Sequence, residues 1–233
     1  MSTKLALVTG VGPGTGASIV RRFAMSGYYV AMIARNEQRL RKFESEIDGT
    51  KAFPVDVTDT ARFAETLDRI FADLGSPQAV IHNPVGGVFG NFMQIDPAAP
   101  ERNFQTNVMA FLHLARRVAP AMIQAGTGAI VATGNTSALR GKSNFAGFAP
   151  TKAAQRILAE SMARELGPKG VHVAYVIIDA AIDVERTRAW RPNDPDDFFI
   201  QPAEIAEEIW HVVHQPRSAW SFNVEIRPFK ETW

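Results

Sequence analysis

A lysine stands four residues after a phenylalanine in the stretch "NFAGFAPTKAA", residues 144–154. The ammonium of Lys152 can hold hydroxyl groups or move a proton, since lysine pKa values shift readily with environment. A phenol four residues earlier would suit proton transfer, because a neighbouring ammonium favours its ionised form. Phe148 occupies that position instead and has no proton to give. The pattern keeps the cation of a proton-transfer site and lacks its hydroxyl.

Other polar residues along the chain can take part in the same chemistry. Asn107 in "FQTNVMA" and Asn135 in "ATGNTSALRG" carry amides that both donate and accept, so either can position water or stabilise an oxyanion. Ser137 offers a hydroxyl, but two residues along a turn usually change the direction of a side chain. Asp179 in "VIIDAAIDVE" can act as an acid near a reaction centre, and it can equally cap a turn.

Short apolar runs alternating with amphipathic helical runs must position these side chains. Such alternation predicts an α/β fold, with a parallel sheet covered by helices on both faces and right-handed crossovers. We therefore expect one doubly wound Rossmann domain of seven strands over residues 1–233. The strand-like runs are "KLALVT", "YYVAMIA", "KAFPVDV", "QAVIH", "GAIVAT", "VHVAYVII" and "SFNVEIR". The main helical runs are "GASIVRRFAMSG", "NEQRLRKFESEI", "TARFAETLDRIFADLG", "ERNFQTNVMAFLHLARRVAPAMIQAG" and "TKAAQRILAESMARELG".

The least regular stretch covers residues 179–201 and follows the sixth predicted strand. It is polar, with two prolines and an acidic cluster. Open α/β sheets bind ligands beyond the carboxyl ends of their strands, so this stretch is predicted to be a substrate lid. An exposed connector is the alternative.

A glycine-rich loop, "TGVGPGTG", follows the first predicted strand and opens the first helical run. Glycines lack a Cβ, so backbone N–H groups can approach a pyrophosphate, and the helix dipole favours that charge. The position of the loop between a strand and a helix is the context that a dinucleotide-binding loop requires. The candidate contacts in this loop are Gly10, Gly12, Gly14, Thr15 and Gly16.

Arg35 stands at the end of the second predicted strand, in "AMIARN". An acidic residue at this point commonly holds the ribose 2′-hydroxyl of NAD, whereas an arginine accommodates the 2′-phosphate of NADP. No acid is present there, so NADP(H) is predicted to be preferred over NAD(H). A solvated arginine at the start of a charged helix is the alternative.

Four motifs in order resemble those of the short-chain dehydrogenase/reductase family over nearly the whole chain. They are "TGVGPGTG"; "VDVTD", with Asp56 and Val57; "HNPVGG", with Asn83; and "FQTNVMA", with Asn107. The resemblance implies that Asp56 and Val57 contact the adenine and that Asn83 belongs to the segment after the fourth strand. It also implies hydride transfer between a nicotinamide and a carbonyl carbon.

The resemblance gives roles to the candidate catalytic residues. It implies that Lys152 holds the nicotinamide ribose and that Asn107 steadies a relay water. Phe148 and Asn135 stand where the family carries its tyrosine and serine, and Asp179 replaces a glycine near the nicotinamide. The chain therefore resembles a divergent branch that lacks both catalytic hydroxyls.

The bulk composition restricts the possible partners. The net charge is +1 and 46% of residues are hydrophobic, which argues against nucleic acid or an anionic membrane as partner. Cysteine is absent and no apolar run is long enough to span a membrane, so we expect a cytoplasmic protein. His211 and His214 share a helix face without a third ligand, so no metal site is expected.

Two functions stay open at this level. The first is an NADP(H)-dependent oxidoreductase acting on a small carbonyl or alcohol with an atypical active site. The second is a catalytically inactive dinucleotide-binding sensor, or a dimerisation partner for an active relative. Family members pair through the helices around Asn107 and Lys152, which implies a homodimer or homotetramer, and the tail ending in Trp233 is consistent with an interface.

Overall fold

Seven parallel strands form a single sheet in the computed structural model, which describes residues 4–230. The strand order is β3-β2-β1-β4-β5-β6-β7. Strands β2 and β3 are therefore added on one side of β1, and strands β4 to β7 on the other side. This order confirms the doubly wound Rossmann arrangement. The strands are β1 (Lys4–Thr9), β2 (Tyr28–Ala34), β3 (Thr50–Pro54), β4 (Ala79–His82), β5 (Gly128–Gly134), β6 (Val171–Ile178) and β7 (Asn223–Ile226).

Eight α-helices accompany these strands in the described part of the chain. They are α1 (Thr15–Met25), α2 (Glu37–Glu46), α3 (Thr60–Leu74), α4 (Ala98–Phe104), α5 (Ala110–Ala125), α6 (Ala149–Leu166), α7 (Glu185–Trp190) and α8 (Pro202–Val213). Buried side chains form two hydrophobic clusters, one containing Phe111 and Tyr175 and the other containing Phe23 and Ile209. Strands buried on both faces explain why β1, β4 and β6 read as continuous apolar runs rather than alternating ones.

The structure differs from the sequence-based expectations most clearly in three segments. The third strand ends at Pro54, because the Asp56 carboxylate accepts from the Thr58 backbone N–H at 2.9 Å and turns the chain. The run predicted as one helix over residues 101–126 is divided by a π-helical segment, Gln105–Met109, that contains Asn107. The stretch 179–201 contains the short helix α7 and a 3₁₀ turn at Asp196–Phe198.

Two further expectations concern the membrane and the tail. Within residues 4–230, no helix has the length and apolar character needed to cross a bilayer. Trp233, the residue tied above to an interface, lies outside the described residues.

Candidate functional site

The candidate residues meet at the carboxyl edge of the sheet, where ligands bind in open α/β folds. Gly10 follows β1, Asn83 follows β4, Asn135 follows β5 and Asp179 follows β6. Lys152 reaches the same edge from α6, since its Nζ donates to the carbonyl of Thr133 near the end of β5 at 3.0 Å. Adjacent parallel strands therefore bring together residues that are far apart in the sequence.

At two positions the glycine loop packs too closely against backbone atoms for a side chain to fit. Gly10 has φ +76°, and a Cβ there would lie 2.4 Å from the backbone nitrogen of Pro84. A Cβ on Gly16 would lie 2.7 Å from the carbonyl oxygen of Gly10. The loop is thereby pressed against the turn after β4. Gly12 stays open, because no atom of the described residues lies within 4 Å of the place its Cβ would take.

The start of α1 forms a candidate anion cradle. The backbone N–H groups of Gly14, Thr15 and Gly16 have no acceptor within residues 4–230, as expected for the first turn of a helix. The Thr15 hydroxyl oxygen is buried and also lacks a partner in the described chain. Unpaired donors at a helix N-terminus suit a phosphate, so these residues fit the pyrophosphate of a dinucleotide.

The stretch after β6 packs directly on this cradle. The Cγ1 of Val184 lies 2.5 Å from the place a Cβ on Gly14 would take. The turn is fixed by Asp183, whose carboxylate accepts from Arg188 at 2.7 and 3.0 Å and from Gln201 at 2.8 Å. The hydrogen bonds from Arg188 and Gln201 lower the pKa of Asp183 to about 2, so the Asp183 carboxylate is ionised at neutral pH.

Arg35 and Asp56 lie together beyond the ends of β2 and β3. The Arg35 guanidinium is 80% exposed and lies 3.8 Å from the Asp56 carboxylate. Val57, the next residue, is buried. An exposed guanidinium at this place is able to turn towards a ligand, because an exposed pair at this distance holds it weakly.

Asn83 links the ends of three strands. Its Nδ2 donates to the carbonyl of Gly10 at 3.0 Å, and its Oδ1 accepts from the Thr133 hydroxyl at 2.9 Å. His82, directly before it, bonds the Thr9 hydroxyl through Nδ1 at 3.1 Å. Burial, together with the nearby Lys152 charge, lowers the pKa of His82 to about 3. His82 is therefore a neutral, structural residue.

Asn107 uses its whole amide group to join two elements. The Oδ1 atom accepts from the Gly86 backbone N–H at 2.8 Å, and Nδ2 donates to the Gly86 carbonyl and to the Thr151 hydroxyl, both at 2.9 Å. The π-helical segment turns Asn107 towards these partners. Both amide hydrogens of Asn107 are thus used by protein atoms, and Oδ1 keeps one acceptor position beside the bond from Gly86.

Lys152 is the most deeply buried charged group at this edge, with only 2% of its surface exposed. Its Nζ donates to the Thr133 carbonyl and to the side-chain oxygen of Gln155. Burial lowers the pKa of Lys152 to about 7. Both protonation states are therefore populated near neutral pH, which is the condition for a group that gives and takes protons.

Gln155 and Tyr175 support this lysine and were missed by the sequence reading. The Tyr175 hydroxyl donates to the same Gln155 oxygen at 3.2 Å, so that oxygen faces Lys152 rather than turning away. Burial raises the pKa of Tyr175, which keeps its phenol protonated and a donor. A polar residue three positions after a lysine on one helix was the available signal, since i and i+3 share a face. Nothing in the apolar run of β6 marked Tyr175.

Phe148 lies in an aromatic wall rather than against a polar partner. Its side chain is 2% exposed, and its ring centroid lies 4.9 Å from that of Phe89 and 6.4 Å from that of Phe145. Aromatic pairs at these separations are stabilising. Phe148, at the position where the resemblance places a tyrosine, is therefore part of an apolar surface.

Asn135 and Asp179 each bond the turn that follows β5. The Asn135 Oδ1 accepts from the Ser137 backbone N–H at 3.1 Å and caps a 3₁₀ turn at Thr136–Ala138. The buried Asp179 carboxylate accepts from the Thr136 hydroxyl at 2.8 Å. The Asn135 Nδ2 has no acceptor in the described part of the chain, so it stays available as a donor. Within residues 4–230, no cluster of three His, Asp or Glu side chains suits a metal ion.

A candidate anion cradle, a buried lysine and an apolar wall at the carboxyl edge of a doubly wound sheet are the features of a Rossmann-type protein. Residues 4–194 match the model of the short chain dehydrogenase family. The chain therefore belongs to the short-chain dehydrogenase family, whose members bind a nicotinamide dinucleotide.

Three proteins illustrate this likeness. A short-chain dehydrogenase from Rhodopseudomonas palustris is 31% identical, with a TM-score of 0.83 over 97% of this chain and 99% of the other. A metagenomic short-chain oxidoreductase in complex with NADP is 25% identical, with a TM-score of 0.85 over 98% of both chains. An uncharacterised oxidoreductase of Staphylococcus aureus (strain USA300) is 24% identical over 98% of both chains.

Proposed function

We propose that this protein is an NADP(H)-dependent oxidoreductase that interconverts a small carbonyl compound and its alcohol without the tyrosine and serine of its family. The observation that carries the proposal is the buried Lys152, whose pKa of about 7 gives it both proton states in the neutral range. A group with a pKa near the working pH makes an effective acid and base.

The unpaired donors at the start of α1 support the cofactor assignment. The residues that would hold the dinucleotide are Gly10, Gly12, Gly14, Thr15 and Gly16 at the pyrophosphate, Arg35, Asp56 and Val57 at the adenosine end, and Asn83, Lys152 and Asp179 at the nicotinamide end. When bound, a nicotinamide dinucleotide supplies or accepts the hydride at the carbonyl carbon.

Lys152 then handles the proton of the reaction. In reduction, its ammonium gives a proton to the carbonyl oxygen as that oxygen gains negative charge, and the neutral amine regains a proton from solvent. In oxidation, the neutral amine takes the hydroxyl proton. Thr133 and Gln155 hold two of the ammonium hydrogens, which leaves the third for the oxygen that reacts.

Asn135 and Asp179 act beside Lys152 in this proposal. The free Nδ2 of Asn135 donates to the developing oxyanion, the contribution of an oxyanion-hole donor. Asp179, fixed by Thr136, accepts from the amide end of the cofactor. Asn107 fixes Gly86 and α6, and Phe148 provides an apolar wall that excludes water from the reacting centre.

A substitution at Arg35 tests the cofactor preference. We expect Arg35→Ala to weaken NADPH binding about tenfold and to leave NADH binding unchanged, because only NADPH carries a 2′-phosphate for the guanidinium. Fluorescence titration of the purified protein with each cofactor measures both constants. The NADP complex of the metagenomic relative supports this preference.

The matched control for Arg35 is Arg41→Ala, on the exposed surface of α2. Arg41 pairs with Glu37 and Glu44, so its loss should leave both cofactors unaffected. Equal affinity of the wild type for NADPH and NADH would contradict the NADP preference. Binding of neither cofactor would refute the oxidoreductase and the sensor together.

The competing function, an inactive dinucleotide sensor or dimerisation partner, is favoured by the loss of both hydroxyls at Phe148 and Asn135. The double substitution Phe148→Tyr with Asn135→Ser separates the two. If the wild type is the enzyme proposed, it reduces members of a carbonyl panel with NADPH before any substitution, and the double variant changes the rate without creating the activity. Turnover found only in the double variant would show that the wild-type protein binds the dinucleotide without catalysing the reaction.

The remaining parts of the proposal follow from the family. Its members are typically oligomeric and act on small molecules, and we propose a homodimer or homotetramer here. Residues 179–201 serve as the substrate lid, because Val184 already rests on the cradle and the Asp183–Arg188 pair gives the segment a fixed base.

A further inference from the structure

Asp179 places a carboxylate at the carboxyl edge of the sheet without an opposite charge beside it. Only 8% of the residue is exposed, and its side chain accepts one hydrogen bond, at Oδ1, from the uncharged Thr136 hydroxyl at 2.8 Å. It forms no ion pair within residues 4–230, whereas Asp56 and Asp183 at the same edge each lie against an arginine. A carboxylate with so little exposure is costly unless a positive charge lies near it. The unpaired charge of Asp179 therefore points to a positively charged group of a ligand.

Contacts with the strands on both sides of β6 hold Asp179 in place. Its backbone N–H donates to the carbonyl of Ile226, the last residue of β7, at 2.9 Å. Its side chain is bonded by Thr136, in the turn after β5. Ile178, directly before it, belongs to a hydrophobic cluster, and Ala180, directly after it, packs against the same cluster. The fold thus fixes a negative charge beside apolar surface, where an electrostatic attraction is stronger than in water.

Lys152 does not neutralise this charge. Its ammonium donates to the Thr133 carbonyl and to the side-chain oxygen of Gln155, and both acceptors are uncharged. Thr133 is paired in register with Val176 of β6, three residues before Asp179. The carboxylate therefore lies further along the same pair of strands than the lysine contact, and the two charged groups act on different parts of the site.

The stretch that begins at Asp179 connects β6 to the anion cradle. Val184, five residues further on, has its Cγ1 atom 2.5 Å from the place a Cβ on Gly14 would take. Five residues span at most about 18 Å, so Asp179 lies within that distance of Val184. A dinucleotide lies across the point where the strand order reverses, with one nucleotide on each half of the sheet. With its adenosine end near Arg35 after β2, its nicotinamide end extends towards β5 and β6, where Asp179 lies.

The two redox states of a nicotinamide differ in charge, because the oxidised ring is positive and the reduced ring is neutral. We propose that Asp179 is the counter-ion of the oxidised ring and raises the affinity of this site for NADP⁺ relative to NADPH. The inference rests on the proposed function, since it takes NADP(H) as the cofactor. Stabilising the oxidised ring favours departure of the hydride, so Asp179 biases the proposed reaction towards reduction of the carbonyl.

Isothermal titration of the full chain with NADP⁺ and, separately, with NADPH tests the role of this charge. Asp179→Asn keeps the size of the side chain and an oxygen that can accept from Thr136, and it removes the charge. We expect the variant to bind NADP⁺ about tenfold more weakly than the wild type does, because only the oxidised ring attracts a carboxylate. NADPH binding should stay within about twofold of the wild-type value, which also shows that the variant is folded.

Two further variants separate the charge from other properties of the residue. Asp179→Ala removes the charge together with the bond to Thr136, so a charge effect predicts the same change in the affinity ratio as in Asp179→Asn. Asp48→Asn removes one negative charge from an exposed turn before β3, at the opposite edge of the sheet. That control should leave both affinities at their wild-type values.

An unchanged ratio of NADP⁺ to NADPH affinity in Asp179→Asn would overturn the inference and leave the proposed function standing. A changed ratio in Asp179→Ala alone would also overturn it, because the bond to Thr136 and not the charge would then be responsible. If the wild type binds neither cofactor, the proposed function fails and this inference fails with it. If the ratio depends on the Asp179 charge while no member of the carbonyl panel is reduced, the counter-ion assignment holds and only the proposed reaction fails.

Discussion

Replacing Lys152 with methionine is expected to lower NADPH-dependent carbonyl reduction at least about 100-fold, the lower end of what acid–base catalysis contributes. Methionine matches the length of the lysine stem and removes the ammonium group together with its hydrogen bonds to Thr133 and Gln155. Steady-state rates with the most rapidly reduced member of a carbonyl panel, measured at saturating NADPH, isolate the effect on turnover. Lys169→Met, in the 3₁₀ turn that follows α6, is expected to retain the wild-type rate, because Lys169 pairs only with Glu165 at the surface.

The pH profile distinguishes a proton donor from a ribose clamp. Burial lowers the pKa of Lys152 to about 7, so the ammonium needed for reduction is present below that pH and lost above it. Wild-type reduction should therefore fall above about pH 7, and alcohol oxidation should rise over the same interval. A Lys152→Met protein that keeps its kcat and loses only affinity for NADPH would show that the lysine holds the cofactor and moves no proton.

Stability measurements test whether Lys152→Met loses activity because the protein unfolds. The pKa of Lys152 is about 7 in the folded chain and near 10.5 when unfolded. Between these values the unfolded chain binds more protons, so the free energy of unfolding rises with pH over that window. Lys152→Met removes the cost of burying the amine. We therefore expect the variant to be at least as stable as the wild type at pH 7, and its free energy of unfolding to stay constant as the pH rises. Urea unfolding at pH 7 and pH 9 measures both.

Gly134→Ala is expected to destabilise the protein by about 3 kcal/mol, at the upper end of ordinary overpacking. A Cβ on Gly134 would lie 2.2 Å from both Cζ and the hydroxyl oxygen of Tyr175, which is fully buried. Tyr175 is held in place, because its strand lies between β5 and β7 and its hydroxyl donates to Gln155 of α6. Urea unfolding followed by circular dichroism measures the change.

The same substitution should disturb the lysine. Displacing the Tyr175 hydroxyl takes away the donor that orients Gln155 towards Lys152. The apparent pKa of carbonyl reduction should therefore move in Gly134→Ala protein that remains folded, because the ammonium loses a fixed acceptor. Tyr175→Phe, which keeps the ring and deletes only the hydroxyl, should move it without the large loss of stability.

Gly167→Ala is the matched control for Gly134. Gly167 has helical φ and ψ of −54° and −51°, and nothing lies within 4 Å of a Cβ at that position among the residues described. Alanine fits such a site and lowers the entropy of the unfolded chain, so stability should be unchanged or higher by up to about 1 kcal/mol. A Gly134→Ala protein within about 0.5 kcal/mol of the wild type would contradict the packing argument.

The sequence by itself determined the parallel sheet, because strands covered on both faces must read as apolar runs between amphipathic helices. The glycine loop was also readable, since a run rich in residues without a Cβ stands between a predicted strand and a predicted helix, where the chain must turn tightly. Both signals are local. They depend on periodicity and backbone conformation within a few residues, and they hold whatever the rest of the chain does.

The tertiary structure decided what each site residue contacts. The sequence placed Asn107 and Lys152 at catalytic positions, but only the fold joins Asn107 to Gly86 and Thr151, and Lys152 to Thr133. The role of Tyr175 in fixing Gln155 was invisible in an apolar strand. Burial, which lowers the pKa of Lys152, is a property of these long-range contacts and is absent from any local pattern.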